Sequence, residues 1–379
     1  TEPLFLDRLQ QSLLAINPAL PAVAIQEAID KIRQIDTGSL VQRNEVFTDY
    51  LQNGVDVSYF DGKEQHSACV RLMDYDHPLH NNFVVANQWS IEEHSVRRAD
   101  IIVFINGLPL VVMELKSPSR TETNVSEAYA QLRNYMQEIP SLFVYNAFCV
   151  MSDLVTSKAG TITSGEDRFM EWKTVDGQTE DNHFANFHVL FCGMFEQERL
   201  IEILRDFICF SKEEKQSAKI LAGYHQFYAV RKAITSVKEA TTTNGKGGVF
   251  WHTQGSGKSL SMVFFAKCLQ RALSSPTIVV ITDRTDLDNQ LFGQFSKCAD
   301  FLRQVPVQAK SRKHLSELLD GIEANGIFFT TMQKFEEGEE PLSQRRNIIV
   351  VADEAHRSQY GLTETIDKQT GKLKIGAAR

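Results

Sequence analysis

The run Thr253-Gln254-Gly255-Ser256-Gly257-Lys258-Ser259 narrows the folds open to this chain more than any other feature. A short apolar segment, Val249-Phe250-Trp251, precedes it, and an amphipathic segment, residues 259–273, follows. Strand, glycine-rich loop and helix in that order make a phosphate-binding loop. The glycines let backbone N–H groups face phosphate oxygens, and the helix N-terminus adds positive potential. With ATP as the ligand, residues 253–259 form the cradle, Lys258 reaches the β and γ phosphates, and the Ser259 hydroxyl takes Mg2+. The first glycine of G-x4-G-K-S is replaced here by His252. Downstream, apolar segments at 277–282, 326–331 and 347–352 alternate with helical patterns such as 285–295. Continuous apolar strands alternating with helices predict a parallel sheet covered on both faces.

The apolar segment Asn347-Ile348-Ile349-Val350-Val351-Ala352 runs into Asp353-Glu354-Ala355-His356. Acids at the C-terminal end of such a strand face the nucleotide crevice. Asp353 is the candidate Mg2+ ligand, and Glu354 the candidate base for the attacking water. With the loop, this stretch resembles the DEAH-type superfamily 2 helicases and translocases. The resemblance implies a RecA-like domain. It also implies that Gln226, in Tyr224-His225-Gln226, reads adenine. In the same way Thr282-Asp283-Arg284, Leu287-Asp288-Asn289-Gln290 and Thr330-Thr331-Met332-Gln333-Lys334-Phe335 resemble DNA-contacting segments.

The front half reads differently. Residues 1–53 carry helical periodicity, and from Val55 the pattern becomes strand-like. Apolar runs at 69–73, 83–89 and 101–105 are bounded by turn-forming residues. Asn106-Gly107 marks a hairpin turn, 110–115 returns as a strand, and a helix over 126–138 is stopped by Pro140. Residues 142–151 read as a further buried strand, 157–182 as loop-rich, and 196–210 as helical. The charged run Ser211-Lys212-Glu213-Glu214-Lys215-Gln216 is the expected boundary. The expected division is 1–215, a mixed α/β domain, and 216–379, a parallel-sheet domain.

Within the first domain, Asp100 is followed by Glu114-Leu115-Lys116 on the next apolar run. Two carboxylates can bind Mg2+, which polarises a phosphate and acidifies an attacking water, and a lysine beside them orients that water and offsets negative charge. Glu114 and Lys116 share one face of a strand. A three-residue loop, Asn106-Gly107-Leu108, sets Ile105 against Pro109 and Asp100 against Glu114. A two-residue loop sets Asp100 against Met113, on the wrong face. One helical turn apart, Gln131 and Tyr135 follow on the next helix.

Asp, a gap and Glu-x-Lys resemble the PD-(D/E)xK nucleases, and Gln131 with Tyr135 resembles the auxiliary Q-x-x-x-Y motif of nucleases fused to restriction and recombination motors. An upstream acid of that class stays open among Glu27, Glu45 and others. Phe104-Ile105-Asn106-Gly107-Leu108-Pro109-Leu110-Val111-Val112 and Trp251 through Ser259 are similar to the motor (R) subunit of type I restriction enzymes, over residues from about 40 to the end. The resemblance implies a restriction-endonuclease-like domain followed by the first RecA-like motor domain. It implies ATP and Mg2+ as cofactors, double-stranded DNA as substrate, and methyltransferase and specificity subunits as partners. It also implies a second RecA-like domain, for which no sequence is present here, so the chain is expected to be an N-terminal fragment. The start at Thr1, without Met, is expected to reflect trimming.

Composition constrains the rest. The net charge of −8 requires any DNA path to be a local basic stripe, with Arg97, Arg98, Lys116, Arg120 and Arg133 as candidates. The six cysteines form no CxxC pair, which suits a reducing, cytoplasmic compartment, and the ten histidines show no zinc pattern. No apolar run approaches the ~18 residues that span a bilayer. Two other readings stand beside the ATP-dependent endonuclease. One is a translocase with a non-cleaving DNA-binding front domain; the other is a non-enzymatic ATP switch.

Overall fold

A computed structural model describes residues 2–117, 125–180, 187–253, 255–283, 285–332, 341–354, 364–366 and 373–375. The chain divides into two compact units, Thr1–Ala229 and Val230–Arg379.

The first unit opens with α1 (Leu6–Ile16), α2 (Ala22–Arg33) and α3 (Leu40–Asn53). Helix α3 starts on a capping box: the Ser39 hydroxyl accepts from the Gln42 N–H, and the Gln42 side chain accepts from the Ser39 N–H. A hairpin follows, β1 (Val55–Phe60) and β2 (Gln65–Val70). The main sheet comprises β3 (Phe83–Glu92), β4 (Val96–Ile105), β5 (Leu108–Leu115), β6 (Phe148–Ser152), β7 (Ser157–Gly160) and β8 (Met170–Glu171), side by side in that order. Only β5 and β6 are parallel neighbours. Their crossover carries α4 (Val125–Glu138) and the short α5 (Pro140–Val144).

Helix α4 buries Ala128, Leu132, Tyr135 and Met136, spaced for one face. They pack with Ile102, Phe104, Val112, Cys149 and Met151 of the sheet. Burying those apolar side chains contributes roughly 1.5–3 kcal/mol for each large one, which fixes α4 against β5 and β6. Residues 142–151, expected as one strand, are instead the end of α5 and then β6. Pro140 supplies the first residue of α5, where a missing N–H costs nothing.

The unit closes with α6 (Phe187–Met194), α7 (Gln197–Asp206) and the hairpin β9 (Ile208–Ser211) and β10 (Ala218–Leu221). The charged run expected at the boundary is the turn of this hairpin. It is tied inward by Lys219, which is buried and donates to Asn44 Oδ1 at 2.8 Å and the Asn146 carbonyl at 2.7 Å. Helix α8 (Tyr224–Thr242) spans the division between the units.

In the second unit α9 (Lys258–Ala272), β11 (Thr277–Thr282), α10 (Thr285–Lys297), α11 (Ala299–Leu302), β12 (Val307–Gln308), α12 (Arg312–Asp320), β13 (Ile327–Thr331) and β14 (Ile348–Ala352) alternate. The sheet order is β12-β13-β11-β14, parallel throughout. A separate pair, β15 (Glu364–Ile366) and β16 (Leu373–Ile375), is antiparallel. The fold is thus a mixed α/β unit followed by a parallel α/β unit. One expected strand is missing. Val249-Phe250-Trp251 joins no ladder, and Val249 and Trp251 are 94% and 79% exposed. Apolar sequence makes a strand only where a partner takes its backbone groups. Here Gly247 and Gly248 precede the segment, and Gly248 has φ 107°.

Candidate active site

The hairpin of β4 and β5 sets the first site. Its turn is the two-residue Asn106-Gly107, with φ of 53° and 83°, and Ile105 pairs with Leu108. Left-handed geometry at both positions is the tight hairpin turn that Asn-Gly favours. The expected three-residue loop is therefore corrected. Yet the register is the one that loop was meant to supply. Phe104 pairs with Pro109, and then Val103 pairs with Val111 and Ile101 with Met113. Leu110 is the extra residue of a β-bulge, and it moves the pairing by one. The next residues along this register are Asp100 and Glu114.

Glu114 is 4% exposed, and its Oε1 accepts from Lys116 Nζ at 2.8 Å. Among the described residues its buried Oε2 has no hydrogen bond. Asp100 Oδ2 accepts from the Leu115 N–H at 2.9 Å, and Oδ1 accepts from Gln88 Nε2 at 2.9 Å. The Lys116 backbone N–H extends the ladder to the Ser152 carbonyl. From α4, Tyr135 lies against Glu114, donates its hydroxyl to the Arg98 carbonyl at 3.0 Å, and interacts with the Gln131 side chain. Asp100, Glu114, Lys116, Gln131 and Tyr135 are thus brought together.

Burial pushes the Glu114 carboxyl above its ordinary value; Lys116 opposes the shift and Asp100 adds to it. Burial likewise pushes the Tyr135 phenol up to about 12, so Tyr135 is a neutral donor at neutral pH and no base. Two carboxylates, one with a buried orphan oxygen, form a hard oxygen donor set that suits Mg2+. The orphan oxygen is what a cation would satisfy.

Sequence reasoning missed Gln88. Its signal was there: the polar pair Asn87-Gln88 interrupts the apolar run of β3. Of the open candidates for an upstream acid, neither Glu27 nor Glu45 reaches this cluster by a hydrogen bond among the described residues. Glu27 accepts from the Ser58 N–H and pairs with Lys31. Of the basic candidates, Arg97 is held by Glu138 and Arg133 donates to the Ile162 carbonyl. Arg98 is exposed, and Arg120 lies outside the described residues. Elsewhere Asp74, His77 and His80 group their donor atoms within 4.8 Å. Asp74 Oδ1 already accepts from the Asp76 and His77 N–H groups, so this carboxylate pins its own loop.

The second unit carries the phosphate loop. Gly255 and Gly257 have φ of 81° and 79°, and Gly257 is the N-cap of α9. Both take the left-handed backbone that glycine adopts at no steric cost. Lys258 and Ser259 form the first turn of α9, half-buried, and Thr253 accepts from Ser256 through its carbonyl. Gln254 lies outside the described residues. Asp353 and Glu354 follow β14 directly, and the Asp353 N–H donates to the Ile281 carbonyl of β11 at 2.8 Å. They stand at the C-terminal edge of the parallel sheet, the edge that also carries Thr282 and Thr331. Glu354 has φ 51°. Gln226 belongs to the first unit, where its Oε1 caps α8 by accepting from the Gly223 N–H at 2.9 Å. Arg284, Gln333, Lys334, Phe335, Ala355 and His356 lie outside the described residues.

The profile of the type I restriction enzyme R protein N terminus matches residues 1–168, and that of the SWI2/SNF2 ATPase matches 225–374. Over 99% of its length the chain is 42% identical to the type I restriction enzyme HindI endonuclease subunit of Haemophilus influenzae. The chain belongs to the type I restriction enzyme endonuclease-subunit family. It is also 34% identical, over 94% of its length, to a provisionally named MjaIXP endonuclease subunit of Methanocaldococcus jannaschii. A third relative, the SauCOLORF180P endonuclease subunit of Staphylococcus aureus, is 29% identical over 76% of the chain. The chain covers 37%, 36% and 30% of these three relatives. The ATPase match and the parallel sheet together make the second unit RecA-like. No described helix is long and apolar enough to cross a membrane.

Proposed function

We propose that this chain carries the DNA-cutting site and the nucleotide-binding half of the motor of a type I restriction endonuclease. The observation that carries the reading is the buried Glu114 carboxylate. It shares a face with Lys116, stands in register with Asp100, and leaves one oxygen unsatisfied. Burying a carboxylate this way costs free energy, and the cost is understood if a cation takes the site.

Asp100 and Glu114 would hold Mg2+, which supplies a polarised phosphate and a more acidic water. Lys116 would orient that water and offset charge on the phosphate. Tyr135, kept neutral and oriented by Gln131, would restrain Glu114. DNA would approach past the exposed Arg98. In the second unit Thr253 through Ser259 would cradle ATP, with Lys258 on the phosphates and Ser259 and Asp353 on its Mg2+. Glu354 would position the hydrolytic water. Division of labour between a nuclease unit and a motor unit is part of this reading, as are double-stranded DNA and methyltransferase and specificity subunits as partners.

The test uses the full-length subunit assembled with those partners. Lys116→Ala should abolish cleavage while ATP turnover and translocation continue. Lys258→Ala should abolish ATP binding and, with it, cleavage. Cleavage at the wild-type rate by Lys116→Ala would favour the front unit as a non-cleaving DNA platform.

A further inference from the structure

Gln88 has a backbone that glutamine rarely adopts. Its φ is 52°, left-handed, within the span of strand β3. The register sets it opposite Asp100, because Asn87 pairs with Ile101 and Trp89 with Ala99. At this pair both strands change the phase of their alternation. On β3 the residues packed on the core are Val84 and Ala86, then Trp89 and Ile91; on β4 they are Phe104 and Ile102, then Ala99. No residue is inserted, so the left-handed turn at Gln88 supplies the change of face on β3. Departures from regular strand geometry re-aim side chains beside active sites, and strain held at one position is a pointer to function.

The result is a grip on one carboxylate. Gln88 Nε2 donates to Asp100 Oδ1 while the Leu115 N–H donates to Oδ2, each at 2.9 Å. Every carboxylate oxygen has a second lone pair, so both remain able to ligate a cation. An amide suits this task. It orients the carboxylate without positive charge, whereas a lysine or arginine would compete with the metal.

We propose that Gln88 is a positioning residue for the nuclease site, fixing the Asp100 carboxylate for Mg2+ binding alongside Glu114. The proposal rests on the nuclease reading above. It differs from a purely structural role in a way that substitution can separate. If the left-handed backbone were all that mattered, glycine would serve better than glutamine. Gln88→Gly relieves the backbone and removes the amide. Gln88→Asn tolerates the backbone but is one methylene too short to reach Asp100.

The experiment compares wild type, Gln88→Gly, Gln88→Asn and Asp100→Ala in the full-length subunit within the assembled complex. Four quantities are read: the thermal midpoint, Mg2+ binding by calorimetry without nucleotide, cleavage against Mg2+ concentration, and ATP turnover. Gln88→Gly should hold or raise the midpoint and keep ATP turnover. Its Mg2+ affinity at the nuclease site should fall about 10- to 100-fold, the range for loss of a residue that orients a ligand. Cleavage should recover in part at high Mg2+, and Gln88→Asn should behave alike. Wild-type Mg2+ dependence in Gln88→Gly overturns the proposal. So does a lowered midpoint with equal loss of cleavage and ATP turnover, which would make Gln88 a residue of the fold. Asp100→Ala distinguishes the levels: if it cleaves normally the nuclease reading itself fails, and if it is inactive while Gln88→Gly is wild type, only the role of Gln88 fails.

Discussion

Replacing Lys116 with methionine should destabilise the first unit in a pH-dependent way. The ammonium sits 2.8 Å from Glu114 Oε1, with the two side chains 23% and 5% exposed. Removing one partner of a fully buried pair costs about 3–5 kcal/mol, because the other charge is stranded. Lys116 is partly wetted, and exposed pairs contribute only about 0–1 kcal/mol. An intermediate loss of about 1–3 kcal/mol is expected. The stranded carboxyl can escape by taking a proton. Burial already raises its pKa, and loss of Lys116 raises it further. In the acidic range, where folded and unfolded chains both hold the proton, the variant loses little. As pH rises, the unfolded chain ionises first, and stability falls until the folded carboxyl has ionised too. Each unit of extra shift corresponds to about 1.4 kcal/mol. Urea unfolding of wild type and Lys116→Met across roughly pH 4 to 8 should therefore show a gap that widens with pH. Adding Glu114→Gln should flatten it. A gap of constant size across that range would refute the argument that Lys116 compensates a buried carboxylate.

Two further substitutions probe the frame of the site. Gly107→Ala would set a Cβ 2.6 Å from the Phe5 carbonyl and 2.7 Å from the Leu9 N–H, at φ 83°. It should destabilise by about 1–3 kcal/mol in thermal denaturation, and an unchanged midpoint would mean that α1 yields. Burial pulls the Lys219 ammonium down to about 7. Its lowered pKa makes stability highest above the ordinary lysine value and diminishing as pH falls toward about 7, so Lys219→Met should remove that slope between roughly pH 7 and 10.

Much of the site was legible because chemistry-bearing residues interrupt apolar runs. Glu114 and Lys116 stand at the end of β5, and Asp353 and Glu354 follow β14 without a break. Period-2 alternation then put Glu114 and Lys116 on one face. The hairpin shows where pattern stops. Asn106-Gly107 favours a two-residue turn, and the facing demanded one residue more. The fold meets both demands with a bulge at Leu110, a device that leaves no mark in composition or periodicity. The polar interruption at Asn87-Gln88 was visible, but what Gln88 faces was not. Its role depends on which residue lies across the ladder, and that is not a property of its own segment. Val249–Trp251 failed oppositely: its composition is strand-like, but strands exist only through partners. The charged run 211–216 looked like a linker, yet buried Lys219 anchors the hairpin it caps.

The most direct test of the account is a crystal structure of the chain soaked in Mn2+ without nucleotide, with the cation located by anomalous scattering. A peak bound by oxygens of both Asp100 and Glu114, at about 2.1–2.2 Å as expected for a small divalent ion, and lost in Asp100→Ala, is the predicted result. A fully occupied Mn2+ elsewhere, with the Asp100–Glu114 pair left empty, would contradict the claim that this carboxylate pair is a metal-dependent nuclease site.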